Sequence, residues 1–307
     1  MSTTSRANRP EEMRDTRRFL LVVFLLGVAA QGAAVWQGLD DRGGWLLRLT
    51  MWAPAAAAFL TSGRTRRMAW AALRRAGWRW WPAALGVGFS YVILERGIAW
   101  AAGGVAWNEE NFPLAPAGGG IEGIEGVATV LGFGPQSFTF LALNLLVTMS
   151  VAALVFALVG GVGEELGWRA VLQPLLERRF GLLGGTLWVG VAWAYWHLPA
   201  NLAGHNDSTH PLLTALVIFP IFVVSVSFAL AWLYRACNGA IWPVAIAHAA
   251  NNIISSAFVV RPVGWGVEML SATAAALLLG AFFAWRLAWK GAAADGRGEP
   301  TPSIAAS

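Results

Sequence analysis

The sequence predicts an all-α fold, a polytopic membrane bundle of about eight transmembrane helices. Three observations carry that expectation. Of 307 residues, 57% are hydrophobic and only 13% are charged, where an average soluble domain carries about a quarter charged residues. Apolar runs of nearly membrane-spanning length recur along the chain. The arginines sort by alternate connections, as they do when helices are oriented in a bilayer. One cysteine, Cys237, excludes an internal disulfide and a thiolate metal cluster.

The predicted spans run from Phe19 to Trp36, Trp45 to Leu60, Trp80 to Trp100, Phe138 to Val162, Leu182 to His197, Leu212 to Trp232, Ile241 to Phe258 and Gly266 to Trp289. Residues 1–18 form a basic arm, 19–289 the membrane domain and 290–307 a small, polar tail expected to be disordered. The first run follows basic residues, as a signal peptide would. It is longer than a usual apolar core of about 7 to 15 residues, and Glu11, Glu12 and Asp15 precede it. It therefore reads as an uncleaved helix. The connection from Ala101 to Ser137 is rich in Gly and Pro and carries Glu109, Glu110, Glu122 and Glu125 without Arg or Lys. It reads as an extracytoplasmic loop or flap. The 18 tryptophans lie largely at span ends, where interfacial belts place them.

Orientation follows from charge. The N-terminal arm, the second, fourth and sixth connections and the tail together hold 18 of the 22 Arg and Lys residues. The opposite side holds Arg42, Arg48 and Arg261, while Arg96 lies within a span. Both termini are thus expected in the cytoplasm and the chain in the plasma membrane. The net charge of +5 orients helices; no nucleic-acid partner is expected.

Ionisable groups within apolar spans are costly and point to function. Glu164, Glu165 and Arg169 stand at the end of the fourth span. Glu165 and Arg169 are i and i+4, an ion-pair spacing with the acid leading. Glu164 lies about 100° around the helix, free to accept a proton. His197 follows Trp193 by one turn, and His248 shares a face with Asn251 and Asn252. A hairpin turning near Gly181 would place Glu164, 17 residues before it, level with His197, 16 after it. His248 would enter from the next cytoplasmic connection. A carboxylate and two imidazoles meeting in a dry cavity are what water activation requires.

These residues resemble the type II CAAX prenyl endopeptidases and their bacterial relatives, the CPBP intramembrane proteases. That family is marked by Glu-Glu-x-x-x-Arg, Phe-x-x-x-His and His-x-x-x-Asn on successive membrane helices. Here the motifs stand as Glu164-Glu165-Leu-Gly-Trp-Arg169, Trp193-x-x-x-His197 and His248-x-x-x-Asn252, with Trp193 in place of Phe. The likeness covers a core from about Val147 to Asn252. It implies an intramembrane endopeptidase in which Glu164 activates water with help from His197. His248 and Asn252 would stabilise the oxyanion, and Glu165 and Arg169 would hold the local geometry. The implied partner is a membrane-embedded peptide or lipidated protein; nothing in the sequence demonstrates prenyl binding.

Other chemistries leave traces too. One Glu and two His are a zinc ligand set, so Glu164, His197 and His248 would bind zinc in a metal-dependent version. No cofactor is favoured, because zinc would consume Glu164 and leave Glu165, paired with Arg169, as base. All five aspartates lie outside the predicted spans, which leaves no aspartyl dyad. A non-catalytic scaffold or immunity-type protein on the same fold is the alternative reading. A transporter would use Glu95 and Arg96 as a charge relay; more simply, these two pair with each other or snorkel outward.

Overall fold

The computed structural model describes residues 9–39, 42–108, 114–117, 120–124, 130–131, 137–254 and 260–294. The described chain is helical, with α1 at Arg9–Trp36, α2 at Arg42–Thr50, α3 at Ala53–Thr61, α4 at Gly63–Leu73 and α5 at Trp81–Ala101. After the 101–137 connection come α6 at Phe138–Phe156, α7 at Val162–Gly167, α8 at Gln173–Trp196, α9 at Leu198–Leu202 and α10 at Pro211–Leu213. The last three are α11 at Phe219–Ala236, α12 at Ile241–Ile253 and α13 at Trp265–Ala294. Two short antiparallel strand pairs join them: β1 (Val105–Trp107) with β4 (Val260–Pro262), and β2 (Leu114–Ala117) with β3 (Gly120–Ile124). The connection expected to be loop thus carries strand structure. Its Glu109, Glu110 and Glu125 lie outside the described residues.

Among the described residues four helical stretches are long and apolar enough to cross a membrane: Pro10–Trp36, Thr139–Trp196, Pro211–Ala236 and Trp265–Trp289. This is a multi-pass membrane protein. The second stretch holds two predicted spans, because Gly181 adopts φ 73°, ψ 175°, a backbone that favours glycine. The chain reverses there. A Cβ on Gly185 would stand 2.5 Å from the Glu177 nitrogen, whereas eight residues along a straight helix span about 12 Å.

Three other predicted spans fall outside those four stretches. The run from Trp45 to Leu60 is broken at 51–52 into α2 and α3, since Pro54 cannot continue the preceding helix. The run from Trp80 to Trp100 is one helix of 21 residues, α5, that carries the Glu95–Arg96 pair at 3.0 Å. The run from Ile241 to Phe258 is a helix of only 13 residues, α12. At about 1.5 Å per residue it is too short for a bilayer, and residues 255–259 lie outside the described chain. Its apolarity reflects burial in protein: every residue from Val244 to Ala250 is buried.

Small residues let α5 and the stretch before α7 approach that central helix. A Cβ on Gly88 would lie 2.4 Å from the Ala247 carbonyl oxygen, and one on Gly161 would lie 2.7 Å from that of Ala245. Such contacts are how membrane helices pack without a hydrophobic driving force.

The first helix begins well before its apolar part. Glu11, Glu12 and Asp15 face Arg64 of α4 at 2.8, 3.7 and 3.8 Å, and Glu12 also meets Arg178 at 3.1 Å. The acids of the basic arm therefore knit helix ends together. At the other end α13 extends to Ala294, into the predicted tail; residues 295–307 lie outside the described chain.

Candidate active site

Glu164 and Glu165 sit on α7, a six-residue α-helical segment flanked by wide π turns at Ala157–Gly161 and Trp168–Leu172. Such turns hold an extra residue each and recur at functional sites. All six residues of α7 are buried. The two carboxylates point to different partners, as adjacent helical positions must.

Glu165 is the inner acid. Its Oε2 lies 3.2 Å from Arg169 Nε, and its Oε1 lies 2.8 Å from His248 Nδ1. Arg169 is fully buried, with its guanidinium carbon 5.1 Å from the centre of the Trp193 ring, a cation–π distance. The predicted i, i+4 pair is present, and it also grips the second histidine.

Glu164 is the outer acid. Its Oε2 accepts indole N–H bonds from Trp168 at 3.2 Å and Trp193 at 2.5 Å. The Trp193 bond joins residues 29 apart in sequence; only the reversal at Gly181 permits it. Sequence reading missed Trp168, although its i+4 spacing from Glu164 inside the Glu-Glu-Leu-Gly-Trp-Arg motif was a usable signal.

His197 lies just past the end of α8. Its Nδ1 donates to the Trp193 carbonyl at 2.9 Å, which leaves Nε2 with the lone pair in the neutral ring. Pro199, two residues on, breaks the helical ladder there. The side chain of Gln31 on α1 repairs the gap. Its Nε2 donates to the Trp196 carbonyl at 2.8 Å, and its Oε1 accepts from the Ala200 nitrogen at 3.3 Å. A residue far upstream thus fixes the backbone on both sides of His197.

Glu164, Trp193, His197, His248, Asn251 and Asn252 all line one cavity of about 720 Å³. The predicted site residues that remain, Glu165 and Arg169, stand behind this wall. Apolar walls come from Phe156, Phe219, Phe222 and Val223, and the rim includes Arg48, His205 and Asn206. Arg48 and His205 were not anticipated, because sequence places them in separate connections.

The zinc alternative fits this geometry poorly. Among the described residues no three His, Cys, Asp or Glu side chains converge closely enough to hold a metal ion. Glu164 Oε2 is already engaged by two indoles.

The rim loop is held by Asp207, which accepts from Thr209 N at 2.8 Å, His210 N at 3.1 Å, Thr214 Oγ1 at 2.9 Å and Trp265 Nε1 at 3.0 Å. Burial opposes the charge, but these donors prevail and hold the carboxyl down at about 2. The folded value lies below the ordinary one near 4. The stabilisation is therefore complete above that ordinary value and is lost as pH falls toward 2. Asp207→Asn should speed hydrogen exchange at the Thr209 and His210 amides by about tenfold at neutral pH. Unchanged exchange would refute this anchoring.

Comparison with protein families matches residues 146–254 to the family described as Type II CAAX prenyl endopeptidase Rce1-like. No curated protein matches the chain. The matched interval opens in α6 and closes at the end of α12, so it contains both carboxylates, His197, His248 and the asparagine pair. Residues 146–254, about a third of the chain, thus match a domain of the Rce1-like type II CAAX prenyl endopeptidase (CPBP) family.

Proposed function

We propose that this protein is an intramembrane endopeptidase that cleaves a membrane-associated peptide or lipidated protein by glutamate-activated water. The observation that supports the reading most is that a carboxylate, two imidazoles and two amides, drawn from three separated stretches, line the same cavity. In a bundle this apolar, such groups are retained at a cost.

In the proposed reaction, water gives a proton to Glu164 and its oxygen adds to the scissile carbonyl carbon. His197 Nε2 accepts a hydrogen bond from that water and aligns it. The tetrahedral oxyanion takes donors from the protonated His248 ring, through Nε2–H, and from the Asn252 amide. Glu165 holds the opposite side of the His248 ring through Nδ1. As the C–N bond breaks, the proton on Glu164 passes to the leaving nitrogen. No covalent intermediate forms, and both products leave neutral in net proton count. The arginine distribution supports cytoplasmic termini; the rim residues Arg48, His205 and Asn206 belong to connections on the other side, which would place the cavity mouth toward the extracytoplasmic face.

Comparative proteomics of membrane peptides tests the reading. Cells with Glu164→Ala or His248→Ala in place of the native chain should accumulate at least one uncleaved membrane peptide. If both variants leave the peptide inventory of the wild type unchanged, proteolysis is the wrong activity.

A further inference from the structure

We propose that Trp193, with Trp168, is a positioning residue: the two indole N–H groups pin Glu164 by Oε2 and reserve Oε1 for the proton of the attacking water. The inference rests on the reading of Glu164 as general base.

Both indoles converge on the same carboxylate oxygen, at 2.5 and 3.2 Å. Glu164 is 1% exposed and lines the cavity, so its orientation decides which oxygen meets water. A carboxylate free to rotate would offer either oxygen. Two donors on one of them break that equivalence, and charged acceptors make such bonds strong. They also supply the polar contacts that a buried carboxylate needs in an apolar bundle.

Trp193 does more than fill space. Its carbonyl receives His197 Nδ1 at 2.9 Å, and its ring lies 5.2 Å from that of His248 and 5.1 Å from the Arg169 guanidinium carbon. One residue thus touches the outer acid, both histidines and the buried arginine. The phenylalanine of the family motif would keep the carbonyl and the ring contacts but lacks the N–H. A bulky aromatic explains packing here; only an indole explains a bond to Oε2.

The substitutions that separate these roles are Trp193→Phe, which removes the donor and keeps a ring, and Trp193→Leu, which removes both. The full-length protein would be reconstituted in liposomes with a pool of internally quenched lipopeptides. Trp193→Phe should lower apparent kcat by about tenfold, with KM changed by less than about twofold. Adding Trp168→Phe should lower kcat further. Full turnover by Trp193→Phe would overturn the proposal and leave Trp193 as packing. A second measurement needs no substrate: ultraviolet resonance Raman difference spectra of the purified chain should show a strongly bonded indole N–H that disappears in both Trp193→Phe and Glu164→Ala. If the indole band is unmoved in Glu164→Ala, the bond is absent and the proposal fails. If the wild type cleaves none of the lipopeptides while the indole band shifts as expected, the protease reading fails and the positioning of Glu164 stands.

Discussion

Glu164→Gln is expected to lower turnover of a membrane peptide by about a thousandfold, the usual scale of a lost general base, with little change in thermal unfolding. Glutamine has the shape of glutamate, and its carbonyl oxygen can still accept from Trp168 and Trp193. The side chain therefore keeps its place against both indoles. What it loses is basicity, so the water in the cavity is no longer deprotonated as it attacks. Turnover of reconstituted protein, measured with thermal unfolding on the same preparation, checks both halves. Turnover within tenfold of the wild type would remove Glu164 from the reaction and favour a scaffold on the same fold.

Glu165→Gln is expected to act oppositely, chiefly on stability. Arg169 has no exposed side-chain surface, and none of its three guanidinium nitrogens has a hydrogen-bond partner. The Glu165 carboxylate at 3.2 Å is the countercharge, assisted by the face of Trp193. Neutralising that acid leaves a cation buried without compensation, which costs about 3–5 kcal/mol. His248 also loses the carboxylate charge at Nδ1. Pairing Glu165→Gln with Arg169→Met should recover most of the stability, because removing both charges avoids the uncompensated one. Thermal unfolding of the single and double variants decides the matter. A single variant as stable as the wild type would show that the pair carries no structural charge balance.

The site was more legible in the sequence than the bundle around it. Glu165 and Arg169 were recognisable as a pair because helical spacing is a local property, and the level match of Glu164 with His197 needed only a reversal at Gly181. The structure contains that pair and that reversal. Tertiary partners were not legible in the same way. Nothing local indicates that Glu165 reaches His248 across 83 residues, or that Gln31 completes the backbone beside His197 across 165. Spans were read from apolarity, which records exclusion from water but not by what. Hence α12, buried among neighbouring helices, carried the same signature as a lipid-facing span. The break between α2 and α3 was foreshadowed by Pro54, but an alanine-rich flank masked it.

The wide turns on either side of the acidic pair give it an unusual sensitivity to where the chain changes length. A deletion in 157–161 that closes that turn to ordinary α geometry is absorbed there, whereas a deletion within α6 with the turn kept would swing everything downstream through about 100°. Glu165 would then occupy the angular position that Glu164 holds now. The neighbouring acids are chemically identical, so their division of labour is a matter of rotational phase, written in the number of residues upstream. A single-residue deletion in α6 moves Glu165 into the place of Glu164 and Leu166 into that of Glu165, whereas substitutions there leave the phase untouched.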